Sequence, residues 1–463
     1  LYQASLNTGE VPQDWKDANV VPLFKKDERH LASNYRPVSL TSITCKVLEH
    51  IVHSSVMDHF DKYKILTNAQ HGFRKRRSCE SQLIITIHDI ASKLKGNSQV
   101  DIILLDFAKA FDKVPHHRLL HKLEYYGVNP KANRWIRSFL QNRMQSVILE
   151  GAVSEQVPVL SGVPQGTVLG PLLFLAYIND MPETATSSET KLFADDSLLY
   201  RTISNQAESD LLQKDLTSLE EWEDKWQMSF NAKKCIVIRI QPKNRPVIPT
   251  NYKLHGHTLD TVEASKYLGV TISNNLTWDR HIDNIVGKGN KTLGFIRRNL
   301  KDCTKPVKAA AYSTIVRPSV EYACTVWDPT KQAKIKAIEQ VQKRAARFVN
   351  NNYTDRTPGC VTKMVTSLKW ESLEDRRKQN RLCMLFKIQH DLIDIDRHQY
   401  LTPNDSRTRG KNRFFQERAT TDAFGQSFFP RTIRDWNQLP TSATSADTVD
   451  GFRAALKACS AKI

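Results

Sequence analysis

A chain of 463 residues exceeds the size at which a single hydrophobic core keeps growing, so two or three subdomains are expected. With 40% hydrophobic and 25% charged residues, its composition is that of an ordinary soluble protein and excludes a chain too polar to fold. The formal charge of +18 calls for a polyanionic partner, nucleic acid before acidic membrane.

The eight cysteines stand far apart without Cys-x-x-Cys or Cys/His spacing, so they read as reduced thiols and not as zinc ligands. The start shows no signal-peptide pattern, and the longest apolar run, Val168 to Ile178, is too short to span a bilayer. An intracellular protein, in nucleus or cytoplasm and without a membrane partner, is expected. Leu1 to Val11 already looks like the interior of a domain, which suggests a piece of something longer.

In chain order, Asn19 to Phe24 reads as a strand that leads to the basic tip Lys25-Lys26-Asp27 and then to Tyr35-Arg36-Pro37. Cations on both sides of a short turn suit a triphosphate clamp as well as a solvated hairpin. Ile43, Val47, Ile51 and Val52 recur at helical spacing and predict a helix over Ser42 to Phe60 packed on these strands. Arg74-Lys75-Arg76-Arg77 follow a Gly-aromatic turn; their repulsion calls for an anion, for which a phosphate backbone is the simplest candidate.

A helix is predicted over Glu80 to Leu94, and Val100 to Leu105 has the unbroken apolar character of a strand buried on both faces, ending abruptly in Asp106. His116 and His117 are adjacent and face different directions on a helix, which favours packing or capping over metal binding. Trp135, Ile136 and Phe139 mark a short helix, Gln145 to Leu149 a strand. Ser161-Gly162-Val163-Pro164-Gln165-Gly166 is a glycine-rich loop that leads to a helix over Leu172 to Ile178. In Leu192-Phe193-Ala194-Asp195-Asp196-Ser197-Leu198, two apolar runs flank adjacent carboxylates. Alone, Asp-Asp reads as a turn. Beside a strand that delivers Asp106, it reads as a hairpin whose crowded carboxylates attract divalent metal.

Four stretches therefore stand in order: Asn34-Tyr35-Arg36-Pro37, Leu105-Asp106 with Ala110-Phe111-Asp112, Ser161 to Gly166, and Phe193-Ala194-Asp195-Asp196. Their order and wording resemble the reverse transcriptases of non-LTR (LINE-type) retrotransposons, most nearly the jockey-like ones. The resemblance implies an α+β right-hand polymerase: fingers over 1–99, a palm with an antiparallel sheet over 100–273, a helical thumb over 274–349, and a mostly helical, basic region over 350–463. It implies RNA-directed DNA polymerase activity, with an RNA template, a DNA primer and dNTP as partners. Asp106, Asp195 and Asp196 would hold two Mg2+ ions, with Mn2+ an alternative. Asp106 and Asp195 would bridge both ions and Asp196 would be the less direct ligand.

Under the same resemblance, Phe111 is the gate that excludes a 2′-hydroxyl. Gln165 and Gly166 line the nucleotide, and Arg36 with Lys25 or Lys26 grips the triphosphate. Lys234 is the proton donor to the leaving pyrophosphate, and Tyr267-Leu268-Gly269-Val270 resembles a primer grip. The amphipathic helix Lys331 to Phe348 would bury Ile335, Ile338, Val341, Ala345 and Phe348 and turn Lys343, Arg344 and Arg347 to a nucleic acid. Farther on, Phe414 and Phe415 lie among the cations of Arg407 to Arg418, a pattern compatible with stacking on single-stranded RNA. Phe428 to Pro440 reads as a packing module. An RNA-dependent RNA polymerase, a splicing maturase and an inactive RNA-binding remnant are the rival expectations; Phe111 speaks against the first.

Overall fold

The computed structural model of the chain describes residues 1–25, 27–96, 98–241, 246–404 and 412–460. They fall into two units: Leu1–Arg74, Ile102–Val237 and Ile248–Thr261 in the first, and Lys75–Asp101, Ile238–Val247 and Val262–Ile463 in the second.

The strands are β1 (Ala18–Phe24), β2 (Tyr35–Leu40), β3 (Gln99–Leu105), β4 (Arg143–Leu149), β5 (Ala152–Val153), β6 (Val157–Val159), β7 (Glu189–Phe193), β8 (Asp196–Ile203) and β9 (Ile236–Ile240), all in the first unit except for Gln99–Asp101 of β3 and Ile238–Ile240 of β9. One sheet pairs β1 antiparallel to β2 and parallel to β4, which carries β5 and β6. The other runs in the order Asp260–Thr261, β9, β3, β8, β7. With neighbours on both sides, β3 buries Val100, Ile102, Ile103 and Leu105, as its unbroken apolar run requires.

The apolar helix Leu169–Ile178 is buried on nearly every side. It starts at Leu169, a turn earlier than expected, because Pro171 falls in the first turn, where a missing N–H costs nothing. Its free N–H groups meet a carboxylate from another helix: Val168 and Leu169 donate to Glu49 Oε2 at 2.7 and 3.0 Å.

The helix Ile43–Lys62 forms as predicted, but on a different face. Cys45, Leu48, Val52 and Val56 are buried, whereas Ile43, Val47 and Ile51 are 81%, 48% and 51% exposed. Apolar residues lie on both sides of this helix, so periodicity marked a helix and could not choose between two stripes.

Lys122 is buried within the first unit. Its ammonium meets Asp180 Oδ1 at 2.5 Å and lies 3.6 Å from the centroid of the Trp226 ring. Burial, only partly offset by Asp180, pulls its pKa down to about 8. Between that value and the ordinary lysine range the unfolded chain binds the extra proton, so stability rises with pH across this window. We expect wild-type unfolding free energy to gain on that of Lys122→Met from pH 8 upward, as read by denaturant titrations at stepped pH. A flat difference would contradict it.

In the second unit, the hairpin Ala264–Tyr267 and Val270–Ser273 turns through Leu268 and Gly269, both at positive φ. The helix Gln332–Val349 buries Ile335, Ile338, Val341, Ala345 and Phe348 as its spacing predicts. The helix Lys305–Ala311 is followed by a π-turn at Tyr312–Val316 and a further turn, Arg317–Glu321. Pro318 explains the widening, since its ring clashes with the carbonyl four residues back.

Asp328 binds the last helices together. It accepts from Arg377 at 2.7 Å and from Arg381 and Arg431 at 3.0 Å, while Arg381 also reaches Asp435 at 2.8 Å. The helix Phe428–Trp436 is a packing element, with Phe428, Phe429, Ile433 and Trp436 buried. Phe414 requires a correction. It is buried against Trp436, and its backbone is held by both amide atoms of Asn437, so its ring is not offered to RNA; Phe415 is exposed. Residues 405–411 of that basic stretch lie outside the described residues. Among the described residues, no helix is long and apolar enough to cross a membrane, and all eight cysteines are free thiols.

Candidate active site

The hairpin β7–β8 pairs Phe193 with Asp196, which leaves Ala194 and Asp195 as a two-residue turn. Ala194 has φ 53°, a left-handed conformation that costs a residue with a Cβ about 1–2 kcal/mol. Gln70 holds it there. Only 2% exposed, Gln70 accepts from Ala194 N at 2.9 Å and from Gly72 N at 2.7 Å through the same Oε1. On either side, Leu192 N donates to Ala69 O and His71 N to Leu192 O. The segment Ala69–Gly72 thereby adds a short parallel pairing to the carboxylate hairpin. A Cβ on Gly72 would stand 2.4 Å from Ala194 N, so only glycine fits. The basic motif drew the eye in the sequence; Gln70 and Gly72, which precede it, are the residues that shape the site.

Asp106 lies just past β3, and its backbone is tied to the loop before β9. Asn231 N donates to Asp106 O at 2.7 Å and Asp106 N to Cys235 Sγ at 3.5 Å. This loop carries Lys234, whose ammonium is 3.4 Å from Asp106 Oδ2.

The three carboxylates act on one another electrostatically. Asp196 and Asp195 keep solvent contact, yet protein crowds around them. Burial first, then Asp195 and Asp106, push the Asp196 carboxyl up to about 6. Burial and Asp106 raise Asp195 as well, against the pull of Lys25 and Arg36. Those two basic residues, one just after β1 and one on β2, are thus brought within electrostatic range of the hairpin. Lys26 lies outside the described residues.

Carboxylate oxygens that repel one another are a donor set suited to Mg2+ or Mn2+, not to zinc. Among the described residues, no three potential ligands are already drawn together into one cluster.

The Phe111 ring stacks on Phe174, with centroids 4.3 Å apart and planes at 20°, and meets Phe73 edge-on at 6.5 Å. Gln165 is fixed at both ends: its Nε2 donates to Asp112 Oδ1 at 2.9 Å, and its carbonyl accepts from Ser39 N at 2.8 Å. Gly166 has φ 103°, and a Cβ there would lie 2.6 Å from Ser39 O. His116, read as a packing residue, meets Gly162 O through Nε2 at 2.8 Å and supports the same loop. Arg36, Phe111, Gln165 and Gly166 therefore belong to one connected framework with the hairpin, and Asp112 is the member the motif left without a task.

The other basic candidates have surroundings of their own. Arg74 donates to the carbonyls of Leu66 and Thr67. In the second unit, Arg77 pairs with Asp394 at 2.7 Å and Arg76 reaches Asp391 O, while Lys75 is exposed. Arg344 donates to Asn290 Oδ1, Arg347 to the carbonyls of Asn352 and Asp355, and Lys343 is half-buried.

A family model described as reverse transcriptase (RNA-dependent DNA polymerase) matches residues 24–272. The RNA-directed DNA polymerase from mobile element jockey of Drosophila melanogaster is 27% identical over 362 residues, which are 76% of this chain and 39% of that protein. The probable RNA-directed DNA polymerase from transposon X-element of the same fly is 27% identical over 365 residues, 75% of this chain and 39% of its own length. Apo telomerase from Candida Tropicalis has a TM-score of 0.45 at 12% identity, covering 83% of this chain and 62% of that one. The chain spans 39% of the length of each of these two relatives, and the likeness to jockey-type elements read from its motifs is borne out. The family match runs from the end of β1, through Asp106 and the Asp195-Asp196 hairpin, over more than half of the sequence: this chain belongs to the reverse transcriptase family.

Proposed function

We propose that the chain is the RNA-directed DNA polymerase part of a non-LTR retrotransposon protein, which extends a DNA primer on an RNA template with dNTP. What supports this reading is that Asp106, Asp195 and Asp196 act on one another electrostatically and that Lys25 and Arg36 act on the same hairpin, acidic donors within range of cations that suit a triphosphate.

Asp106 and Asp195, with Asp196 in support, would hold two Mg2+ ions, which when bound neutralise phosphoryl charge and make the primer 3′-hydroxyl a better nucleophile. Arg36 and Lys25 hold the triphosphate and orient it for in-line attack. Gln165 and Gly166, fixed by Asp112 and Ser39, line the nucleotide with little freedom to shift. Lys234 donates a proton to the departing pyrophosphate, which requires it to leave its pairing with Asp106. In this reading 1–99 serves as fingers, 100–273 as palm and 274–349 as thumb. Arg74 to Arg77 and Lys343, Arg344 and Arg347 face nucleic acid with whatever donors their internal bonds leave over.

Primer extension by the purified chain on a homopolymer RNA template with Mg2+ tests the proposal. No extension with either Mg2+ or Mn2+, by a chain that binds the template, would favour the inactive RNA-binding remnant.

Phe111, braced by Phe174, is the sugar gate. Phe111→Val should raise ribonucleotide incorporation relative to deoxynucleotide by about tenfold or more, the scale of about 1–3 kcal/mol for relief of a steric clash in a pocket. An unchanged ratio in competition assays would remove Phe111 from that role.

A further inference from the structure

In the first unit, Phe73 is a bulky ring at a place where folding alone asks for none. It is 56% exposed, and among the described residues it is the only Phe, Tyr or Trp with a positive φ, 54°. A left-handed backbone is costly for a residue with a large side chain, and an exposed ring gains little from burial. Glycine would take the same turn without strain. Strain that has no local offset collects at functional sites.

The chain is anchored on both sides of this ring. Gly72 N donates to Gln70 Oε1 at 2.7 Å, and the Arg74 guanidinium donates to the carbonyls of Leu66 and Thr67. Between these anchors Phe73 meets Phe111 edge-on, with centroids 6.5 Å apart and planes at 81°. Phe111 is held from other directions as well: its carbonyl accepts from Val163 N at 2.7 Å, and its ring stacks on the fully buried Phe174. Phe174 has no room to move aside in a packed core. Of these two rings against Phe111, Phe73 is the one open to solvent, so its place decides how far the Phe111 side chain can turn.

We propose that Phe73 is a positioning residue for the sugar gate: it confines Phe111 to the orientation that excludes a 2′-hydroxyl, and so helps to set the preference for deoxynucleotide over ribonucleotide. The inference rests on the polymerase reading and on Phe111 as the gate. A gate discriminates only while it cannot swing aside, and a stacked ring with a second ring against it has fewer staggered orientations open to it. Phe73 acts through Phe111 and not by touching the nucleotide.

Competition between ribonucleotide and deoxynucleotide in primer extension is measured with the full chain as wild type, Phe73→Gly, Phe73→Tyr, Phe111→Val and the double variant Phe73→Gly/Phe111→Val. Phe73→Gly should raise relative ribonucleotide incorporation about two- to tenfold, the scale of one aromatic pair, through a lower KM for ribonucleotide. Its thermal midpoint should not fall, because the strained turn is relieved. Phe73→Tyr keeps the ring and should keep the wild-type ratio. In the double variant, Phe73→Gly should add nothing to the effect of Phe111→Val, since it works through that ring. An unchanged ratio in Phe73→Gly beside a raised one in Phe111→Val would overturn the inference and leave the gate standing. Effects that multiply in the double variant would overturn it too, because Phe73 would then act on its own. So would a midpoint that falls in Phe73→Gly, which would make the ring a support of the fold. An unchanged ratio in Phe111→Val removes the gate and the inference with it, and a wild type that extends no primer sinks the polymerase reading and both.

Discussion

Asp195→Asn should abolish primer extension, with a loss of at least roughly 10³-fold in kcat, the upper scale for removing one preorganised electrostatic group from a transition state. The expectation follows from position. Asp195 is the second residue of a two-residue turn, between a strained Ala194 and the first residue of β8, so its backbone is held on both sides. Asparagine is nearly isosteric and keeps the turn, so template affinity should stay within about twofold. Single-turnover extension on an RNA template and equilibrium template binding, measured side by side, check both halves. Activity near wild type would refute the metal-ligand role; lost template binding would indicate that the turn had collapsed.

The second large effect is expected where no charge is involved. Gly72→Ala places a Cβ 2.4 Å from Ala194 N, against backbone that a flexible side chain cannot yield for. The hairpin must shift by a substantial fraction of an ångström, and misplacement on that scale costs about 10²-fold in rate. Gln70→Leu should act on the same step by a different route. It leaves Gly72 N and Ala194 N without their shared acceptor, at about 1–3 kcal/mol for each buried orphan. Both variants should lower kcat while KM for dNTP and affinity for template change little, since Arg36 and Lys25 lie on and beside other strands. A KM effect larger than the kcat effect in both would show that the clamp supports the nucleotide pocket and not the carboxylates.

Several features of this site could be read from residue order because each is local. The unbroken apolar run of β3, the abrupt arrival of Asp106, and the carboxylate pair between two apolar strands all depend on neighbours a few residues apart. The same is true of the helix Gln332–Val349, whose single apolar stripe left no choice of face. The helix Ile43–Lys62 was legible as a helix only, because it carries two stripes and burial is decided by what packs against it. Phe414 looked like an exposed aromatic among cations until Asn437 and Trp436 claimed it. Asp328, with three arginines from two later helices, has no sequence signature at all.

By itself, the sequence determined which residue types this protein brings to chemistry and in what order: carboxylates at the ends of strands, an aromatic after the first of them, a glycine-rich loop, and basic residues near the start. Tertiary structure decided how those residues are held. Gln70 supports Ala194 from 124 positions away, Asp112 positions Gln165 from 53, and Glu49 caps the helix that begins at Leu169 from 120. Periodicity and motif spacing report on neighbours along the chain. A hydrogen bond between distant segments depends on which surfaces the hydrophobic cores bring face to face, and only the folded chain settles that.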